Sequence, residues 1–193
     1  VLSCDPNPEG PGVIEHGLDS PINASYPSRV QSVYLGSYLR VSSERLPSTA
    51  ESFTLSATIW PTTPERSVQG VISRYDNVEQ KGYSLSIGPD GVVGFFGKHC
   101  LSVGKALASR RWYRIWLSYN AATAMLSVGQ IPNKRRIDVN DEGVVESVSV
   151  TTTDACCDLL IAALGGEPVT GHFNGNIEYT AFFNDAITDP DRL

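Results

Sequence analysis

Short runs in which apolar residues alternate with small polar ones, divided by glycine and proline, limit what this chain can become more than any other feature. In the run 53–59, Phe53, Leu55, Ala57 and Ile59 fall on one face, and Thr54, Ser56 and Thr58 on the other. A period of two belongs to a half-buried strand, not to a helix. Trp60-Pro61 closes the run, because proline cannot supply the next ladder donor. Residues 70–75 form a short apolar run, and Tyr83, Leu85 and Ile87 then alternate with Ser84 and Ser86. Pro89-Asp90-Gly91 is a turn in which Gly91 can take positive φ, so residues 82–96 read as a hairpin.

The same alternation continues. Tyr113, Ile115, Leu117 and Tyr119 share one face of the next strand; Trp112, Arg114, Trp116 and Ser118 share the other. A loop at 120–123 lets residues 126–129 pair back. The apolar run 159–164 ends at Gly165-Gly166, and Ile177, Tyr179, Ala181 and Phe183 alternate with Asn176, Glu178, Thr180 and Phe182. Helical periodicity is nearly absent: 102–111 has room for one turn, and 189–193 for the start of a short helix. The expected fold is therefore all-β, a two-sheet antiparallel jelly-roll sandwich packed through the alternating inner faces. At 193 residues the chain suits one domain. Three prolines and two glycines within 5–12 exclude a helix or a central strand there. We expect an N-terminal arm over 1–30 lying on a body over 31–193.

Composition excludes several function classes. Fifteen basic residues against 21 acidic ones give a net charge of −6, opposite to a nucleic-acid module. The one basic run, Lys134-Arg135-Arg136, reads as a solvated loop. No apolar stretch approaches the roughly 20 residues that span a bilayer, and no secretory signal is visible. The chain lacks an initiator Met and reads as a fragment or a processed product. Of the four cysteines, Cys156 and Cys157 are adjacent, which disfavours two disulfides involving Cys4 and Cys100. Reduced thiols and a cytoplasmic setting are expected, or an extracellular one if the chain is a binding module.

The order of these pieces resembles the laminin-G-like, concanavalin A-like jelly-roll superfamily over about residues 33–193. The pieces are Gly36 to Val41, Phe53 to Thr62, Gly82 to Ile87 with Asp90-Gly91, Arg111 to Tyr119, Leu160 to Gly166, Phe173 to Glu178 and Phe183 to Ile187. Members of that superfamily bind sugars, bind proteins or serve enzymes as accessory domains, so fold does not settle function. A narrower resemblance lies in the arm. Cys4 to Gly12, then Tyr26-Pro27 and Gly36-Ser37-Tyr38, look like the N-terminal region of the large subunit of N,N-dimethylformamidase-type amidohydrolases. That resemblance implies a jelly roll preceding the catalytic part, with the catalytic iron site in a later region.

Within the chain the signals for catalysis are poor. Glycosidases of this fold set their acids as E-x-D-x-E or E-x-D-x-x-E on one strand, which puts both glutamates in one cleft. Neither pattern occurs; 138–142 is an acidic turn beside Gly143, and Glu178 stands alone on its strand. There is no G-x-S-x-G elbow and no phosphate loop. His99 and Cys100, if on a strand, point to opposite faces and cannot share a proton. No cofactor is required, and no catalytic residue is assigned. The resemblance to the jelly-roll superfamily implies calcium as the plausible ion: relatives often carry an aspartate where Glu178 stands, and Asp76-Asn77 and Asn184-Asp185 are further oxygen-rich spots.

For binding, exposed aromatics beside polar groups are the candidates: Trp60, Trp112 and Trp116 with Arg114, then Phe182 and the tyrosines. Trp116 shares its face with Arg114 and Ser118. It marks a contact with a ligand or protein unless both faces of the strand are covered. Two readings follow. One is a non-catalytic accessory domain docking on other domains or subunits of a larger amidohydrolase. The other is a carbohydrate-binding module or lectin.

Overall fold

The computed structural model describes residues 12–16 and 29–32 as backbone strands, and residues 36–42, 46, 49–133, 142–154, 157–166 and 168–193 in full. Thirteen strands and one 3-10 turn make up the described chain, with no α-helix. The strands are β1 (Gly12–His16), β2 (Arg29–Ser32), β3 (Ser37–Val41), β4 (Phe53–Pro61), β5 (Gln69–Asp76), β6 (Lys81–Gly88) and β7 (Gly91–Phe96). They continue as β8 (His99–Ser102), β9 (Tyr113–Asn120), β10 (Met125–Pro132), β11 (Val144–Ser149), β12 (Leu159–Ile161) and β13 (Gly175–Phe183). One sheet runs β1-β3-β12-β5-β6-β7-β8 and the other β11-β10-β9-β4-β13-β2. Every pairing is antiparallel. The architecture is the two-sheet jelly-roll sandwich that the alternation predicts. β1 lies at one edge of the seven-stranded sheet and β2 at one edge of the six-stranded sheet, so strands from the first 32 residues join both layers. The basic run 134–136, the acidic residues 138–141, Cys4 and Cys156 lie outside the described residues.

The inner faces form one core. Leu55, Ala57 and Ile59 of β4 and Ile115 and Leu117 of β9 meet Leu85 and Ile87 of β6 and Val92 of β7. At one end the sheets meet through rings. Phe53 sits 4.5 Å from Tyr83, 5.9 Å from Tyr119 and 5.5 Å from Phe182, while Phe96 lies 4.4 Å from Tyr119. Phe53, Tyr119 and Phe182 come from one sheet, Tyr83 and Phe96 from the other, so the cluster spans the interlayer space. The predicted 82–96 hairpin forms, and Gly91 takes φ +95 at its turn.

Three expectations are corrected. The run 102–111 forms no helical turn: Ser102 closes β8, and 103–111 is a loop fixed by Tyr113, whose hydroxyl accepts from the Ala108 N–H at 2.9 Å. The apolar run 159–164 is buried throughout but is strand only as far as Ile161, because Ala162 turns the chain at φ 71. The strict alternation of β13 fails after Glu178. Glu178 pairs with Thr58 but Ala181 with Ser56, which leaves one extra residue on β13. This bulge exchanges the two faces. Phe182 therefore enters the core at 7% exposure, and Phe183, opposite Thr54, takes the outer side. Phe182 is thus a core ring rather than a binding aromatic. Tyr179 absorbs the bulge at φ 52 with its ring 74% exposed.

A bulky residue in that left-handed conformation is strained, whereas glycine adopts it freely. Tyr179 loses little burial on truncation, so Tyr179→Gly should stabilise the fold by about 0.5–1 kcal/mol. Urea unfolding reads this as a later midpoint at unchanged slope; an earlier midpoint would show that the bulge does not carry the strain.

Candidate docking face

Three of the four candidate binding residues come from β9 and the segment leading into it, and the fourth from the adjacent β4. Since Tyr113, Ile115, Leu117 and Tyr119 point into the core, Arg114, Trp116 and Ser118 occupy the outer face of the six-stranded sheet. β4 pairs with β9 so that Thr54 faces Ser118, Ser56 faces Trp116 and Thr58 faces Arg114. The last pair is Ile59 with Tyr113, which makes Trp60 and Trp112 the next opposed positions on the same face. The fold thus gathers Trp60, Trp112, Arg114 and Trp116 onto one surface. Glu178 joins them from β13, opposite Thr58.

Of the two alternatives for Trp116, the covered strand is the one observed. Trp116 is 0% exposed. On one side its ring lies over Gly129 of β10: a Cβ at Gly129 would come within 2.1 Å of Trp116 Cζ2. Only a residue without a side chain leaves room for the indole. From above, the chain after β13 returns over the sheet. Thr54 Oγ1 donates to the Asp185 carbonyl at 2.7 Å and accepts the Ile187 N–H at 2.8 Å. Arg114 Nη1 then donates to the Pro190 carbonyl at 2.9 Å. A path from Thr54 to Arg114 crosses the positions of Ser56 and Trp116. The segment ends in a 3-10 turn at Pro190–Arg192, capped by Asp189. Trp60, Trp112 and Arg114 are half-buried at the other end of the face.

The calcium candidates do not converge. Asp76 lies in the turn after β5 in the seven-stranded sheet, where its Oδ1 accepts the N–H groups of Val78 at 2.8 Å and Glu79 at 3.0 Å. Asp185 sits after β13 on the six-stranded sheet, with its carboxylate 3.7 Å from Arg192. Among the described residues, no three His, Cys, Asp or Glu side chains are grouped so as to hold a metal ion. His99 and Cys100 lie on β8 opposite Phe96 and Phe95, so they face opposite ways. The Nε2 of His99 accepts the Thr151 N–H at 3.2 Å, which commits that nitrogen to a structural bond. Although Cys100 is exposed, partial desolvation by its neighbours pushes the thiol pKa up, away from the thiolate that nucleophilic chemistry needs. Cys157 is likewise a thiol outside any disulfide, and its carbonyl accepts from Arg74 Nε at 3.0 Å.

Sequence reasoning missed Thr54, Ser56, Ile187 and Gly129. Only Gly129, a lone glycine within a strand pattern, carries a local signal of close approach.

No protein-family model matches the chain. It is 27% identical to the N,N-dimethylformamidase beta subunit of Paracoccus aminophilus over 215 aligned positions, covering 100% of this chain and 28% of that subunit. The subunit of the same name from Alcaligenes sp is also 27% identical, over 99% of this chain and 28% of its own length. The chain therefore spans between a quarter and a third of these curated relatives. Among solved structures it is similar to the Ruminococcus gnavus IT-sialidase CBM40 bound to alpha2,3 sialyllactose. The TM-score is 0.56 at 13% identity, covering 73% of this chain and 80% of that one. It is also similar to the binding domain of Botulinum neurotoxin DC in complex with rat synaptotagmin II. There the TM-score is 0.59 at 13% identity, covering 93% of this chain and 44% of the other. These likenesses establish the sandwich fold. No helix among the described residues is long and apolar enough to cross a membrane.

Two outcomes test the geometry. Gly129→Ala sets a methyl group against a buried ring and should destabilise the fold by about 1–3 kcal/mol, read by urea unfolding; a neutral change would mean that the indole does not rest there. Iodoacetamide should alkylate Cys100 with an apparent pKa above the roughly 8.5 of an ordinary thiol. A midpoint at or below that value would restore Cys100 as a reactive candidate.

Proposed function

We propose that this chain is a non-catalytic accessory domain, a jelly roll of the concanavalin A-like or laminin-G-like kind, within a larger amidohydrolase resembling the N,N-dimethylformamidase beta subunit. Its work on this reading is docking: it assembles with other domains or subunits while the chemistry lies elsewhere in the parent protein. The observation that carries the reading is the end-to-end alignment of this whole chain with 28% of a longer enzyme subunit. The covered outer face agrees with it, because a sheet surface closed by the chain's own segment favours packing roles over capture of a soluble ligand. A cytoplasmic setting belongs to the same proposal.

Carbohydrate binding is the second reading, and one observation favours it: Trp60 and Trp112 stand opposed at the open end of the outer face, beside Arg114. Flat rings next to a guanidinium suit the C–H face and hydroxyls of a sugar.

The two readings separate on two measurements. Reading the coding gene beyond the codon for Leu193 should show the frame continuing for a length comparable to the rest of the curated relatives; an immediate stop codon would sink the accessory reading. A glycan panel with and without calcium, followed by thermal shift, should leave the melting temperature unchanged. A ligand at 100 times its dissociation constant adds about 2.7 kcal/mol, so a raised melting temperature that Trp60→Ala abolishes would establish the binding-module reading instead.

A further inference from the structure

Residues 184–193 are attached to the sandwich in an unusual way. β13 ends its ladder at Phe183, and the backbone–backbone bonds of the following segment, among the described residues, are internal to it. Side chains of the sheet hold its main chain instead. Thr54 grips one carbonyl and one N–H, those of Asp185 and Ile187, while Ser118 Oγ lies 3.1 Å behind the Thr54 hydroxyl. Arg114 takes the carbonyl of Pro190. Ile187 is the side chain that sinks between these anchors, at 5% exposure. The rest of the segment organises itself: Asp189 Oδ1 accepts the Asp191 N–H at 3.0 Å, and Asp185 meets Arg192. Recognition of main-chain groups plus one apolar anchor is how a protein holds a bound peptide.

A second observation points the same way. Trp116 Nε1 is buried on this face and has no hydrogen-bond partner among the described residues. A buried donor without an acceptor is costly and rare. Trp116 stands on β9 between Arg114 and Ser118, so an extended segment that set a carbonyl within reach of this nitrogen would gain a bond that no described residue supplies.

We propose that the outer face of the six-stranded sheet is a peptide-binding site, occupied in cis by residues 185–190, for an extended segment with an isoleucine-like anchor and free main-chain carbonyls. The site is built by Thr54, Ser118, Arg114 and Trp116. This holds whether or not the domain serves an amidohydrolase. In the folded chain the tethered segment outcompetes any free peptide, because its effective concentration is on the order of millimolar.

The test loosens the occupant and leaves the receptor intact. The full chain carrying Ile187→Ala should bind a fluorescent synthetic peptide of residues 184–193 saturably, read by anisotropy. Adding Thr54→Val should weaken that binding by about tenfold or more, roughly 1.4 kcal/mol. No saturable binding by a cooperatively folded Ile187→Ala chain, or equal binding by both variants, would overturn the site. Hydrogen exchange on the full chain gives an independent readout should Ile187→Ala not fold. In Thr54→Val alone, the Ile187 amide should exchange about tenfold faster while the amides of Leu85 and Leu117 keep their protection. An unchanged Ile187 amide would show that Thr54 does not hold the segment.

Discussion

The rings that meet across the layers at Phe53 fix the geometry on which the rest depends. Phe53, Tyr119 and Phe182 from one sheet interlock with Tyr83 and Phe96 from the other, at centroid separations of 4.4 to 6.4 Å. Large rings bury more apolar surface than any other side chains and favour tilted or offset contacts. Such a cluster sets the spacing and the relative rotation of the sheets at that end. Once the inner faces of β4 and β9 are committed to it, their outer faces are committed too. Arg114, Trp116 and Ser118 have nowhere to point but away from the core.

The bulge in β13 follows from the same commitment. Ile177 belongs to the core at one end of the strand and Phe182 belongs to the ring cluster at the other. They stand five positions apart, an odd offset, and a regular strand would put them on opposite faces. One extra residue reconciles the two, and Tyr179 absorbs the strain in a left-handed conformation. The bulge also turns Phe183 outward beside Thr54, which starts the chain on its return path over the sheet. Core packing on one face and the covering segment on the other are thus joined through a single irregularity.

What was legible in the sequence was whatever a ladder forces on its neighbours. β9 lies between two paired strands, so its alternation is strict, and both of its faces could be assigned from Trp112 to Tyr119. The 82–96 hairpin was legible because Asp90-Gly91 supplies the positive φ its turn requires. β13 was legible only up to Glu178, because a tyrosine carries no local signal for a left-handed conformation. Ile187 belongs, in the sequence, to the family-like ending 183–187 and carries no local mark of an anchor. Its bond to Thr54 joins residues 133 apart in the chain, and no periodicity reports such a contact. Trp116 is buried with its ring over Gly129, a contact between strands that alternation along β9 does not report.

The covering segment changes what the cluster of aromatic candidates can do. A sugar platform needs a ring face open to solvent, and the ring at the centre of this surface has none. A ligand directed at Trp116 would have to displace a tethered competitor held by three hydrogen bonds and a buried isoleucine. For a soluble ligand, that competition subtracts directly from affinity, since the apparent constant scales with the fraction of open molecules. On the accessory-domain proposal a segment of a neighbouring domain would be tethered as well, and would compete with the strap at a comparable effective concentration. On that proposal the physical asymmetry runs toward polypeptide partners at the centre of the face and leaves its Trp60 and Trp112 end to a small molecule.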